Sequence, residues 1–229
     1  MEHYRFSRRF TVLTGNYGSG KTEAALNLAL QAAEHGSAAL IDLDIVNPYF
    51  RSGEYAEEMR GKGVRLLMPS FAMTTVDIPA LPPEIQSVFE ADDDKVIFDV
   101  GGDDTGAAAL GRYYPSFMAH RDETTVALVV NMMRPLTRTA EEAAELASRI
   151  AARARLKIDI IINNTNLGFD TEPGMVEAGE KAALECARLV NAGEVCTMGE
   201  PNVLEKCTLT TPVLPVRRMT VPEWMEGNT

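Results

Sequence analysis

The stretch Phe10-Thr11-Val12-Leu13-Thr14-Gly15-Asn16-Tyr17-Gly18-Ser19-Gly20-Lys21-Thr22 decides the reading of this chain. Its first five residues are a short apolar, β-branched run that reads as a buried strand. Residues 21–35 carry apolar side chains at helical spacing, with Gly36 as the stop. Between the two stands the pattern G-x-x-x-x-G-K-T. Glycines in such a loop let consecutive backbone N–H groups curl inward on an anion, and the helix starting near Lys21 adds the positive end of its dipole. Lys21 would reach the β- and γ-phosphates of a nucleotide, and Thr22 would offer its hydroxyl to Mg²⁺. Gly15, Asn16, Tyr17, Gly18, Ser19, Gly20, Lys21, Thr22 and the adjoining Glu23 are therefore the candidate nucleotide contacts.

Outward from this loop, strand and helix signals alternate along the whole chain. Further strands are expected at Ala38–Asp42, Val64–Met68, Lys95–Val100, Thr125–Asn131, Ile158–Asn163 and Val213–Val216. Helices are expected over 52–60, ended by Gly61 and Gly63, over 141–155 and over 174–191, with Gly193 just beyond. Thr139 and Glu142 form a capping box for the second of these, which places acids first and arginines last along its dipole. The strands are continuous apolar runs, as in strands buried on both faces. The fold class that follows is a three-layer α/β fold, a mostly parallel sheet with helices on both faces, in a single domain over 1–229. Pro79-Ala80-Leu81-Pro82-Pro83 reads as a loop.

Two acidic stations support the phosphate-loop reading. Asp42-Leu43-Asp44 ends the second strand, and Asp99, followed by Gly101 and Gly102, ends the fourth. The carboxyl ends of parallel strands are where such sheets bind ligands. One carboxylate there can hold Mg²⁺ through water, and another can orient an attacking water. Thr22, Asp44 and Asp99 are the candidate metal residues, and Lys21 and Asp44 the candidate catalytic ones. Gly102 would allow close approach of the backbone to a γ-phosphate. Asp104 reads as a cap for a helix from Thr105 onward, and Arg51 as a phosphate clamp.

Composition narrows the partners. Against 22 basic residues stand 33 acidic ones, for a net charge of −11. That balance disfavours nucleic acid, which needs clustered Lys and Arg, and a surface resting on anionic lipid. No apolar run reaches the length of a membrane span, and no signal-peptide pattern is expected at the N-terminus. Three cysteines, Cys186, Cys196 and Cys207, with no C-x-x-C pair, fit a reducing cytoplasmic setting.

With these motifs in place, the sequence resembles the SIMIBI group of P-loop NTPases, within the MinD/ParA/CobQ-like nucleotide-binding superfamily. The resemblance implies Mg-ATP as ligand, with ADP as product, and often a nucleotide-dependent homodimer. It makes Asp44 the switch residue that positions the hydrolytic water and Asp99 the Walker B acid. Asn163-Asn164-Thr165-Asn166 lies where GTPases of related fold carry N-K-x-D. Asn163 then matches the base-contacting Asn. Asn166 stands in place of the guanine-reading Asp, which favours adenine, and Pro215 lies where relatives wrap a loop over the base. One departure stands out: Asn16 occupies the place of the signature Lys that reaches a partner subunit's phosphates. It counts against a sandwich dimer built through that Lys and predicts slow hydrolysis.

The leading functional expectation is an ATPase acting as a nucleotide-dependent switch or accessory ATPase on a protein partner. The alternatives are an ATP-dependent metabolic enzyme of the same fold, a dethiobiotin synthetase- or cobyrinate amidase-like ligase or a small-molecule kinase, with Arg51, Arg112 and Tyr113 furnishing a pocket, and a non-hydrolysing nucleotide-binding regulator. The tail, with Pro222 and two acids, fits poorly as a basic amphipathic membrane helix, and Trp224 and Met225 are expected to pack on the body.

Overall fold

A computed structural model describes residues 1–44, 56–68 and 83–219. Arg51, Pro79 to Pro82, Trp224 and Met225 lie outside the described residues.

The first strand, β1 (Phe10–Thr14), is buried at every position, as its unbroken apolar run requires. It pairs in parallel with β4 (Lys95–Val100) on one side and β5 (Thr124–Val130) on the other, placing Leu13 beside Asp99 and Ala127. Together with β2 (Ala38–Leu43), β3 (Val64–Leu67), β6 (Ile160–Asn163), β7 (Glu194–Gly199) and β8 (Val213–Pro215) they form one eight-stranded sheet in the order β3-β2-β4-β1-β5-β6-β7-β8, with every pairing parallel. β7 was not expected from the sequence. Its register with Ile160–Asn163 closes the gap between β6 and β8.

Because side chains alternate across a strand, the sheet feeds two separate cores. On one face Leu13, Leu40, Ile97 and Val129 pack against Ala25, Leu26 and Ala29 of helix α1 (Lys21–Ala33) and Met59 of α2 (Ala56–Gly61). On the other, Val12, Phe98 and Leu128 pack against helix α4 (Asp104–Arg112), Phe117 of α5 (Tyr114–Ala119), α6 (Ala140–Ala154) and α7 (Pro173–Val190). The short helices α3 (Pro83–Gln86) and α8 (Pro201–Leu204) complete the set among the described residues. The expected three layers, a parallel sheet between helices, are thus present. Residues 2–4 run along the β8 edge, with the Tyr4 N–H donating to Val213 O at 2.8 Å, which covers an otherwise open strand.

Local signals account for most element ends. The Thr139 hydroxyl accepts from the Glu142 N–H at 3.2 Å, and Glu142 in turn accepts from the Arg138 N–H at 2.8 Å, so the capping residues act one position displaced from a strict box. The cap of α4 is Asp103, whose carboxylate accepts from the Gly106 N–H at 2.7 Å, whereas Asp104 is the first residue of the helix. α1 ends at Ala33, two residues short of the expected end at His35. Among the described residues no helix is long and apolar enough to cross a membrane.

Candidate functional site

The candidate catalytic and metal residues, Lys21, Thr22, Asp44 and Asp99, converge at the carboxyl ends of β1, β2 and β4. The loop from Gly15 to Gly20 leaves β1 and turns back on itself, with the Ser19 N–H donating to Asn16 O at 3.0 Å. Gly20 enters α1 in the left-handed region at φ 89°, where a Cβ would stand 2.0 Å from the Asn164 side chain. A side chain at that position is excluded twice over, by strain and by space.

Lys21 follows and is nearly buried. Its Nζ lies 2.7 Å from the Asp44 carboxylate, which is buried as well. Burial on its own would lower the lysine's pKa. The carboxylates of Asp99, Asp44 and Asp42 outweigh that, and the net displacement is upward, so the ammonium stays charged. Asp42 does not face the loop alone: it accepts the Asp44 N–H at 3.0 Å and so fixes the backbone that presents Asp44. The Thr22 hydroxyl donates to Asp99 Oδ2 at 2.7 Å. Asp99 is wholly buried. Burial drives its pKa up, the Lys21 charge pulls it down and Asp42 pushes it up again, leaving it at about 7.

Of the three candidate metal residues, Thr22 and Asp99 are therefore in direct contact, while Asp44 is engaged with Lys21. Asp99 Oδ1 is buried without a hydrogen-bond partner. An orphaned carboxylate oxygen beside a threonine hydroxyl suits a hard cation or its bound water. Among the described residues no cluster of three or more His, Cys, Asp or Glu could hold a metal by itself, so a Mg²⁺ here would need ligand phosphates to complete its shell.

Gly102 packs on the phosphate loop: a Cβ there would lie 2.1 Å from Gly15 O. Its smallness lets the β4 loop and the phosphate loop touch, which holds Asp99 against Thr22.

Beyond the loop opens a cavity of about 770 Å³, lined by Gly18, Gly20, Lys21, Thr22 and Glu23 on one side and by Asn164 to Thr171 on the other. Tyr17 stands at its rim, 64% exposed, and Asn16 turns away to donate to Pro135 O at 2.9 Å. The asparagine run divides by residue. Asn163 is fully buried within β6, its amide donating to Val176 O at 3.0 Å and accepting from the Thr165 N–H at 3.1 Å, and it does not line the cavity. Asn164 does line it, and donates to Ser19 O of the phosphate loop at 2.7 Å. Asn166 also lines it, with its amide committed to Asn164 O and to the Gly168 N–H. Pro215 ends β8 away from the cavity, and its carbonyl accepts from Gln31. The neighbouring Val216 and Arg218 form the wall.

Several wall residues carry no sequence signal. Arg218 lies over the Phe169 ring at 4.3 Å and is ion-paired to Glu200. The segment that carries it is clamped to α1, where Asn27 accepts from the Arg217 N–H at 2.8 Å and Glu23 accepts from the Met219 N–H. Glu23, counted as a ligand contact from sequence, thus also anchors the far wall. Arg112 and Tyr113 lie at the far end of α4 and do not line this cavity, and the Tyr113 ring packs toward Phe89.

No family model matches the chain, and no curated protein matches it. Solved structures do. A nucleotide-binding protein from Archaeoglobus fulgidus in complex with ADP aligns with a TM-score of 0.52 and 15% identity, over 87% of this chain and 84% of that one. The signal recognition particle 54 kDa protein from Aeropyrum pernix K1 in complex with GDP aligns with a TM-score of 0.51 and 20% identity, over 85% of this chain and 42% of that one. At these identities the likeness is one of fold: the parallel α/β architecture of this chain is shared with those two nucleotide-bound structures.

Proposed function

We propose that the chain binds Mg-ATP at this loop and hydrolyses it as a nucleotide-dependent switch or accessory ATPase acting on a protein partner. One observation carries the reading: Lys21 and Thr22 from the first turn of α1, Asp44 just past β2 and Asp99 near the end of β4 meet in one buried cluster at the mouth of a glycine loop, within ion-pair and hydrogen-bond distance. A structural turn has no use for four nearly buried polar side chains with one carboxylate oxygen left unpartnered.

Lys21 and the loop amides would hold the β- and γ-phosphates, and Thr22 and Asp99 would hold Mg²⁺, which would supply neutralisation of charge developing on the transferred phosphoryl group. Once Lys21 turns to the phosphates, Asp44 is placed to orient the attacking water. Asn164, tied to Ser19, takes the role at the base that the resemblance implies for Asn163. Asn166 presents an amide where guanine recognition calls for a carboxylate, which supports adenine. The ADP and GDP bound by the two similar structures belong to those proteins and are compatible with a nucleotide in this cavity. The ligase or kinase alternative is not favoured, because Arg112 and Tyr113 stand apart from the cavity.

The test is a comparison of melting temperature with Mg-ATP, Mg-GTP and neither, together with steady-state phosphate release. Mg-ATP should raise the midpoint and Mg-GTP should not. Equal shifts would remove the base assignment, and no shift from either would remove nucleotide binding.

A further inference from the structure

The turn after β5 lies across the phosphate loop, and bonds from several segments hold it there. The Arg134 N–H donates to Asn131 O at 3.0 Å and the Thr137 hydroxyl donates to the same oxygen at 2.8 Å. The Met132 N–H donates to the Thr165 hydroxyl at 3.2 Å, and Asn16, from the phosphate loop itself, donates to Pro135 O at 2.9 Å. The turn closes through a left-handed backbone at Leu136, φ 67°. This rigid frame places Arg134 alongside Gly18: a Cβ built on Gly18 would lie 3.2 Å from Arg134 Nε.

Arg134 lines the same cavity as Lys21 and Thr22, and its guanidinium has no hydrogen-bond or ion-pair partner among the described residues. The other arginine that lines the cavity, Arg218, is ion-paired with Glu200. In a chain of net charge −11, an unpaired guanidinium on a fixed turn beside an anion-cradling loop has a clear complement: a multiply charged anion. Its planar fork of N–H donors matches phosphate oxygens better than an ammonium does.

We propose that Arg134 is a phosphate-binding residue, supplying from the same chain a second cationic side chain, beside Lys21, to the polyphosphate of a bound nucleotide. The inference rests on the phosphate-loop reading above and adds a residue that no sequence motif marks.

The test measures AMP, ADP and ATP binding to the wild-type chain and to Arg134→Ala, Arg134→Gln and Arg134→Lys by calorimetry with Mg²⁺ present. Loss of the guanidinium should weaken ADP and ATP on the order of tenfold, as for removal of a charge-assisted hydrogen bond. AMP affinity should be unchanged, and Lys should recover part of the loss. The ligand-free melting temperature should not move, because the guanidinium has no partner to lose, and Arg134→Gln keeps the stem if Arg134→Ala folds poorly. Wild-type ATP binding that persists unchanged in both neutral variants would overturn the inference while leaving the nucleotide reading intact. A loss equal for AMP, ADP and ATP would overturn the assignment to the polyphosphate. A wild-type chain that binds no nucleotide would overturn both.

Discussion

Gly179 sits in the interior of α7, buried against the loop that follows β6. A Cβ there would lie 2.1 Å from the Thr165 hydroxyl oxygen, 2.4 Å from Thr165 Cβ and 2.6 Å from Asn163 Oδ1. In an open helix Gly→Ala stabilises by about 1 kcal/mol. Here the added methyl must displace Thr165, at an overpacking cost of about 1–3 kcal/mol. The displacement also strains the bond by which Thr165 receives the Met132 N–H, and a buried donor left unsatisfied costs about 1–3 kcal/mol. The net is a destabilisation of about 3 kcal/mol from the midpoints of these ranges. For a domain of this size that lowers the melting midpoint by roughly 6–12 °C, at about 2–4 °C per kcal/mol. Thermal unfolding followed by circular dichroism reads it directly, with Gly174→Ala as the control, since nothing lies within 4 Å of a Cβ at Gly174 in the same helix. The same displacement moves the segment that presses Asn164 on Ser19, so nucleotide affinity should fall as well. Gly179→Ala melting at or above the wild-type temperature would refute the packing argument.

Other outcomes follow from the same geometry. Lys21→Ala should weaken ATP binding on the order of a hundredfold, since it removes the central charged donor; micromolar binding retained in calorimetry would sink the loop assignment. Asp44→Asn should still bind ATP but release phosphate roughly a hundredfold more slowly or worse, and unchanged turnover would take Asp44 out of the chemistry. At the opposite end of the sheet, Asp94 accepts from the Ser37 N–H at 2.8 Å and hydroxyl at 2.9 Å, and these bonds hold its pKa below the ordinary 3.8. A depressed acid stabilises the fold above 3.8 and loses that contribution as pH falls through the lower folded value. Asp94→Asn should therefore melt below the wild type at pH 7, with the difference closing on acidification below 3.8; a gap constant with pH would show that the charge is irrelevant.

What the sequence reveals and conceals divides along physical lines. β1, β4 and β5 are legible because strands buried on both faces must be apolar throughout. β7 is not, because Glu194-Val195-Cys196-Thr197-Met198-Gly199 mixes polar and apolar residues, with Thr197 buried against Asn163 and Thr211. The asparagine run shows how fine the limit is. In β6, Asn163 is the register partner of Val130 and its side chain turns into the protein, whereas Asn164 falls just past the strand and reaches the phosphate loop. A shift of one residue exchanges the two faces, and nothing in four nearly uniform letters sets it. Arg134, Phe169 and Arg218 stayed invisible for another reason. Their positions depend on three loops meeting in space, and each taken alone reads as an ordinary surface residue.

The 2.7 Å contact between Lys21 and Asp44 has a further consequence. An anion entering the loop does not meet a waiting ammonium; it meets one already satisfied by a carboxylate of the same chain. Binding is therefore an exchange of counterions, with Asp44 as an internal competitor. A singly phosphorylated ligand offers little to win that exchange, whereas one with several phosphates can displace the carboxylate and also engage the surrounding N–H groups. Under the proposed function, occupancy and the freeing of Asp44 are one event, so the carboxylate proposed to orient water is released only when a polyphosphate ligand has arrived.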